Sequence, residues 1–246
     1  MINFTTCRRL LRVANKRSTL VLLVYVILGF LIYSNTLHVP FHFDDESNIV
    51  ENLNIRLTDL TIKNIALAAF KSPSSNRPVA NLSFALNYYF HQYDVTGYHA
   101  INIGIHIITG ILLYFLIKTT LSIPSIRSNY KHHASIALFA ALIWLVHPVQ
   151  TQSVTYIVQR MNSMAVMFYI LTFLLYAKGR MLKEKHKTWP WFAGCALAGL
   201  LALGSKCLGL QFVSKGRVLQ GQMLPGILES QIHALQNRYH PGKSLT

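Results

Sequence analysis

Charged side chains are spaced so unevenly along this chain that the gaps between them outline its architecture. Arg17 and Asp44 enclose 26 uncharged residues, Asp94 and Lys118 enclose 23, Lys131 and Arg160 enclose 28, Arg160 and Lys178 enclose 17, and Lys187 and Lys206 enclose 18. A charge placed in hydrocarbon costs roughly 2.5 to 3.5 kcal/mol, and a helical crossing needs about 20 apolar residues. The pattern predicts an all-α membrane protein: a polytopic helical bundle with about five transmembrane helices, near residues 19–37, 98–117, 134–149, 164–177 and 189–205. The first run follows a basic leader, as a cleaved secretory signal would. It is long for a signal core, no small-residue cleavage pattern follows it, and further spans come after it, so an uncleaved anchor is expected.

Weaker periodicity lies between the spans. Residues 53–71 read as helix or loop, and residues 72–78 (SPSSNRP) as a turn-rich connector. In residues 79–93, Leu82, Leu86, Tyr89 and Phe90 fit one face of an interfacial helix, with a re-entrant segment as the alternative. In residues 152–161, Val154, Ile157, Val158 and Met161 recur at helical spacing, while Gln152, Thr155 and Gln159 take another face. That predicts an amphipathic helix lying along the membrane, unless the segment simply extends the neighbouring span. Gly194, Ala198 and Ala202 form a small-residue stripe suited to close helix packing.

Composition sharpens this picture. Of 246 residues, 52% are hydrophobic and 13% are charged, which excludes a disordered chain. The net charge of +15 would suggest nucleic-acid binding on a soluble surface. Here, however, the basic residues alternate with the spans. Residues 1–17, 118–133 and 178–187 together hold 13 Lys and Arg, against five in residues 38–94 and 150–163. The excess therefore reads as topology, with residues 1–18 as a basic cytoplasmic leader, and as attraction to anionic lipid headgroups. Membrane lipid is an expected partner and nucleic acid is not. The outward loop 38–97 then carries six of the eight acidic residues. Cys7, Cys195 and Cys207 are scattered and encode neither a disulfide framework nor a metal site.

The sharpest chemical feature is the run FHFDDESNIVENLN from Phe41, in which Asp44, Asp45 and Glu46 follow the first span. It suits a solvated cap as well as a reactive site. As chemistry, a carboxylate at the membrane surface can take the proton of an attacking hydroxyl while a substrate's lipid tail stays in the bilayer. Neighbouring side chains diverge too far to flank one bond as a glycosidase pair does. Asp44 is thus the candidate base and Asp45 its orienting neighbour, with Glu46 beside them as a substrate contact. A departing lipid phosphate needs a fixed cation or donor, for which Arg77, Arg160 and His147 are candidates, although either arginine also suits an interfacial anchor. His99, Asn102, His106 and Thr109 share one face of the second span, a pattern that favours interhelical hydrogen bonding over substrate contact. No cofactor is expected, and a divalent metal is the weaker alternative.

The runs FHFDD, NRPVANLSFALNYYF, GYHAINIGIHIITGILLYFL and HPVQTQSVTYIVQRMNSMAVMFYILTFLLYAKGR resemble the amino-terminal membrane region of the transmembrane, tetratricopeptide-repeat-containing O-mannosyltransferase-like family, in its bacterial branch. The likeness spans roughly residues 41–206 and extends to the wider C-type glycosyltransferases, including protein O-mannosyltransferases. It implies an integral membrane glycosyltransferase that moves a mannose-like sugar, with inversion, from a polyprenyl-phosphate carrier to hydroxyls of an acceptor protein on the outer face. It also implies a bacterial inner-membrane location and puts the family's catalytic acidic motif on Asp44 and Asp45. Gln152 stands where animal relatives tend to carry an acid, and it joins the expected substrate-binding positions. Cys207 stands where the family pattern continues with glutamate, so residues 207–246 are expected to be an atypical tail and the chain an amino-terminal fragment that is inactive alone. A non-catalytic membrane interaction or transport component is the competing expectation.

Overall fold

A computed structural model describes residues 16–127, 132–182 and 188–206. The expectations for most of the basic leader and for the tail 207–246 lie outside these residues. Helix α1 (Lys16–Tyr33) leads through short turns to the acidic loop. Next come α2 (Ile62–Lys71), α3 (Pro78–His91), α4 (Val95–Leu121), α5 (Pro124–Arg127), α6 (His133–Val146), α7 (Thr151–Thr155), α8 (Arg160–Met181) and α9 (Trp189–Ser205).

Helix α4 is the axis of the bundle and packs against α1, α6 and α8. Asp94 starts it, its carboxylate accepting the Thr96 N–H at 3.0 Å, a side-chain N-cap. On α1, Leu20, Leu23, Phe30 and Leu31 are exposed while Tyr25 and Tyr33 are buried. The Tyr25 hydroxyl donates to the Leu138 carbonyl of α6 at 2.8 Å. Gly29 permits the α1–α4 approach, since a Cβ there would lie 2.6 Å from Ile107 Cγ1. The small-residue stripe of α9 is turned inward at Ala198 and Ala202, and α9 packs chiefly along α8.

Among the described residues three helices are long and apolar enough to cross a membrane: Thr19–Thr36, Val95–Leu121 and Ile157–Met181. A fourth results if His133–Val146 and Pro148–Thr155, bent by 50°, act as one broken span. The expectation of about five is corrected accordingly. Helix α9 has 17 residues, about 25 Å at 1.5 Å per residue, short of a hydrocarbon core of about 30 Å. The bend arises at His147–Pro148, because the residue before proline is driven to extended geometry and proline cannot continue the backbone ladder.

Two weaker expectations also change. Residues 152–161 do not form one amphipathic helix. The helix stops at Thr155, where main-chain groups are drawn to other partners: Asn102 donates to the Val154 and Ile157 carbonyls, and Val158 donates its N–H to Asp45. Helix α3 is not a free interfacial helix either. Leu86, Tyr89 and Phe90 face outward, but Asn81, Phe84, Ala85 and Asn87 are buried against the bundle. Its polar side is its inner side.

Asn81 turns inward to donate to the Ala69 and Ser74 carbonyls, and the rest of the inversion is organised by the side chain of Arg160. It is fully buried. Nε donates to Asn102 Oδ1 at 2.7 Å, and Nη2 donates to Asn87 Oδ1 at 2.8 Å and the Tyr98 carbonyl at 2.9 Å. Nη1 reaches the Ser83 carbonyl and hydroxyl at 3.4 and 3.5 Å. The guanidinium also lies over the rings of Phe84 and Tyr98, 4.7 and 5.5 Å from their centroids. Among the described residues no carboxylate pairs with it. Five N–H groups on neutral acceptors and two aromatic faces replace its hydration. Arg160→Lys, with three donors, should destabilise the protein by about 1.5 to 3 kcal/mol. Arg160→Leu should cost more than Arg160→Lys, because it leaves all five acceptor oxygens without a donor. Denaturant titration in detergent micelles checks both the magnitude and the order.

Candidate active site

The acidic loop begins at Phe43, whose φ of 52° puts a non-glycine residue in the left-handed region. Asp44 and Asp45 follow it in helical backbone, where consecutive side chains point about 100° apart. Asp45 is fully buried. Its Oδ1 accepts the Val158 N–H at 2.7 Å and its Oδ2 the His42 N–H at 3.2 Å, with His42 Nδ1 at 3.8 Å from Oδ2. Asp44 is exposed. Its N–H donates to the Tyr156 hydroxyl at 2.8 Å, and its carbonyl accepts from Asn48 Nδ2 at 2.8 Å. The His42 ring stacks on Tyr156 with centroids 4.9 Å apart.

Through these contacts the loop after α1 and the turn before α8, more than 100 residues apart in sequence, meet at one end of the bundle. Charge counting had assigned those two segments to a common side. Burial raises the pKa of Asp45 above the ordinary carboxylate value, and the N–H groups of His42 and Val158 oppose the rise without cancelling it.

The other expected site residues are less concentrated. Glu46 is exposed and opens the single π-turn Glu46–Val50. Arg77 is half-buried at the start of α3, with Nη1 2.9 Å from Met161 Sδ. Its connector is tied to the acidic loop, because the Ser74 hydroxyl donates to Asn48 Oδ1 at 2.9 Å while Asn48 holds Asp44. His147 and Gln152 are exposed at the bend between α6 and α7. His147 Nδ1 accepts the Val149 N–H at 3.2 Å, and among the described residues neither side chain is bonded to Asp44 or Asp45. Arg160 is committed to the interior, so in this arrangement its donors do not face a lipid phosphate.

The polar face of α4 is bonded across segments: His99 Nε2 to the Val39 carbonyl at 2.9 Å, His106 Nε2 to the Leu145 carbonyl at 2.9 Å, and Asn102 to residues 154 and 157. Thr109 instead bonds back to Ile105 within α4. Among the described residues no three His, Cys, Asp or Glu side chains converge to hold a metal ion.

Tyr156, His42 and Asn48 were not anticipated from the sequence. Tyr156 falls between the apolar positions of a helix-like pattern, and nothing local marks its hydroxyl as the acceptor of an N–H 112 residues away.

Comparison with known proteins finds relatives of this chain. The chain is 29% identical to the protein O-mannosyl-transferase F38B6.6 of Caenorhabditis elegans over 166 residues, covering 65% of this chain and 23% of that protein. The mouse protein O-mannosyl-transferase TMTC2 is 30% identical over 185 residues, 71% of this chain and 21% of the relative. For the human protein O-mannosyl-transferase TMTC4 the figures are 28% over 219 residues, 83% and 29%. The homologues of this chain are TMTC-type protein O-mannosyl-transferases. The chain spans about a fifth to under a third of their length. No protein-family model matches it, and no solved structure does.

Because the folded state raises the pKa of Asp45, it binds more protons than the unfolded chain between the ordinary aspartate value and the raised one. Stability should therefore fall as pH rises through that window, with the sign opposite to that of an exposed, paired carboxylate. Asp45→Asn should flatten this slope. Thermal unfolding in detergent across the mildly acidic range is the measurement.

Proposed function

We propose that this chain carries the catalytic outer-loop region of an integral membrane glycosyltransferase that moves mannose from a polyprenyl-phosphate carrier to a protein hydroxyl. In this reading the amino terminus is cytoplasmic, the acidic loop lies at the outer lip of a bacterial inner membrane, and Asp44 is the base. The observation that carries it is the division of labour between neighbouring aspartates. Asp45 is buried and fixed to main-chain N–H groups, whereas Asp44 is exposed, with the Tyr156 hydroxyl beside both its N–H and its carboxylate. The naming of the homologues as O-mannosyl-transferases supports the reaction class.

Asp44 takes the proton of the acceptor hydroxyl as that oxygen forms its bond to the anomeric carbon. The bond from that carbon to the phosphate oxygen breaks with its electron pair passing to the phosphate, and the configuration inverts. Arg77, at the end of the connector tied to Asn48, stabilises the charge on the departing phosphate. Asp45 and Tyr156 hold the loop so that Asp44 meets the acceptor in one orientation.

Two experiments test this. In membranes containing the chain, Asp44→Asn should lower mannosyl transfer from a polyprenyl-phosphate mannose by on the order of 100-fold or more. Equal transfer by the variant removes the base assignment, and no transfer by the unaltered chain favours a non-catalytic membrane component. Asp44→Cys, in a chain whose native cysteines are replaced by serine, should react in intact cells with an impermeant maleimide. Protection until the cells are opened would reverse the topology and end the proposal.

A further inference from the structure

A second feature lies away from the acidic loop. Between α4, α6, α8 and the Pro148–Thr155 segment there is a half-open cleft of about 60 Å³. None of the residues bonded to Asp44 or Asp45 lines it. The helices around it are the apolar spans and most of its lining surface is apolar, yet seven of its eight lining residues carry a polar side-chain atom. The stacked rings of His106 and Trp144, with centroids 4.9 Å apart, belong to this lining, and Gln150, Ser153, Asn162 and Ser163 supply amides and hydroxyls.

The lining restricts what can occupy the cleft. It contains no Lys, Arg, Asp or Glu, so an ionic group entering it would lose hydration without gaining a counter-charge. A lipid tail would strand the amides and hydroxyls at about 1 to 3 kcal/mol each. Much of their bonding capacity is uncommitted. Among the described residues the side chains of Trp144, Gln150 and Ser153 have no hydrogen-bond partner. Asn162 uses its Nδ2 on Gln159 and keeps its carbonyl oxygen. Ser163 donates to the Ser153 carbonyl at 3.0 Å and keeps its acceptor capacity. His106 in its neutral form gives Nε2–H to the Leu145 carbonyl and leaves Nδ1 as an acceptor.

Donors and acceptors in near balance, an indole surface and no charge match an uncharged polyhydroxyl ring. We propose that this cleft binds one edge of a neutral sugar, with Trp144 against the ring's C–H face and Gln150, Ser153 and Asn162 on its hydroxyls. The cavity is too small to enclose a pyranose, so the rest of the ring lies in the mouth. The lining alone selects the ligand class; mannose as the probe rests on the glycosyl-transfer reading.

The test uses the whole chain purified in a phosphocholine detergent, which carries no sugar headgroup to compete. Methyl α-mannopyranoside is titrated in, and binding is read by saturation-transfer NMR. Saturable millimolar binding is expected, weakened about tenfold or more in both Gln150→Ala/Asn162→Ala and Trp144→Phe. The second variant keeps an aromatic ring against His106 and serves if the first does not fold. No saturable signal up to about 100 mM, or equal binding by the folded variants, overturns the proposal. Because binding is read without transfer, a chain that binds the glycoside but transfers nothing loses the glycosyl-transfer reading and keeps the cleft. A chain that transfers but does not bind loses only the cleft.

Discussion

The constraint on which the rest of this structure depends is a positive charge buried without a negative one. Arg160 sits where α8 begins, and the surrounding chain must supply five acceptors and two ring faces to keep it there. A carboxylate partner would have satisfied one side of the guanidinium and tied together two segments. Neutral acceptors spread the demand over α3 and α4, so one side chain of α8 fixes the mutual placement of three helices. This accounts for the inward turn of Ser83, Phe84 and Asn87 on α3, while Tyr89 and Phe90 point out. The energetic logic is asymmetric: the net gain from such a network is modest, while leaving its members unpaired is expensive.

The candidate site is built on the residues just before that anchor. Val158, two positions from Arg160, donates its N–H to Asp45, and Tyr156 receives the N–H of Asp44. Fixing Arg160 therefore fixes the turn that holds both aspartates. The left-handed Phe43 lies at the entry to this turn, and the helical geometry of Asp44 and Asp45 sends the first side chain outward and the second inward. Backbone strain of this kind persists only where surrounding contacts over-determine it, and here the contacts are the buried carboxylate and the Tyr156–His42 stack.

Much of the membrane architecture was legible because hydrocarbon imposes a simple rule: charge-free runs of sufficient length become helices. The rule failed where length was marginal or where a local breaker intervened. The 17 residues of α9 fall short of a crossing, and Pro148 bends the segment that begins with α6. The acidic loop announced itself as three consecutive acids, and the polar face of α4 announced itself by helical spacing. Arg160 was misread in role because an isolated arginine between two apolar runs carries the same local signature as an interfacial anchor. Its acceptors lie 58 to 77 residues away in sequence.

The sequence by itself determined that this chain is helical and membrane-embedded, which segments are apolar, and that acidic residues cluster after the first span. Each of these is set by side-chain chemistry read over a window of about 20 residues. Only the tertiary structure decided which aspartate is buried, which arginine is committed to the interior, and that Tyr156 belongs to the acidic loop. The physical reason is that burial and hydrogen-bond partnership are properties of pairs. When the partners are separated by 50 to more than 100 residues, local pattern holds no record of them until the chain has closed on itself.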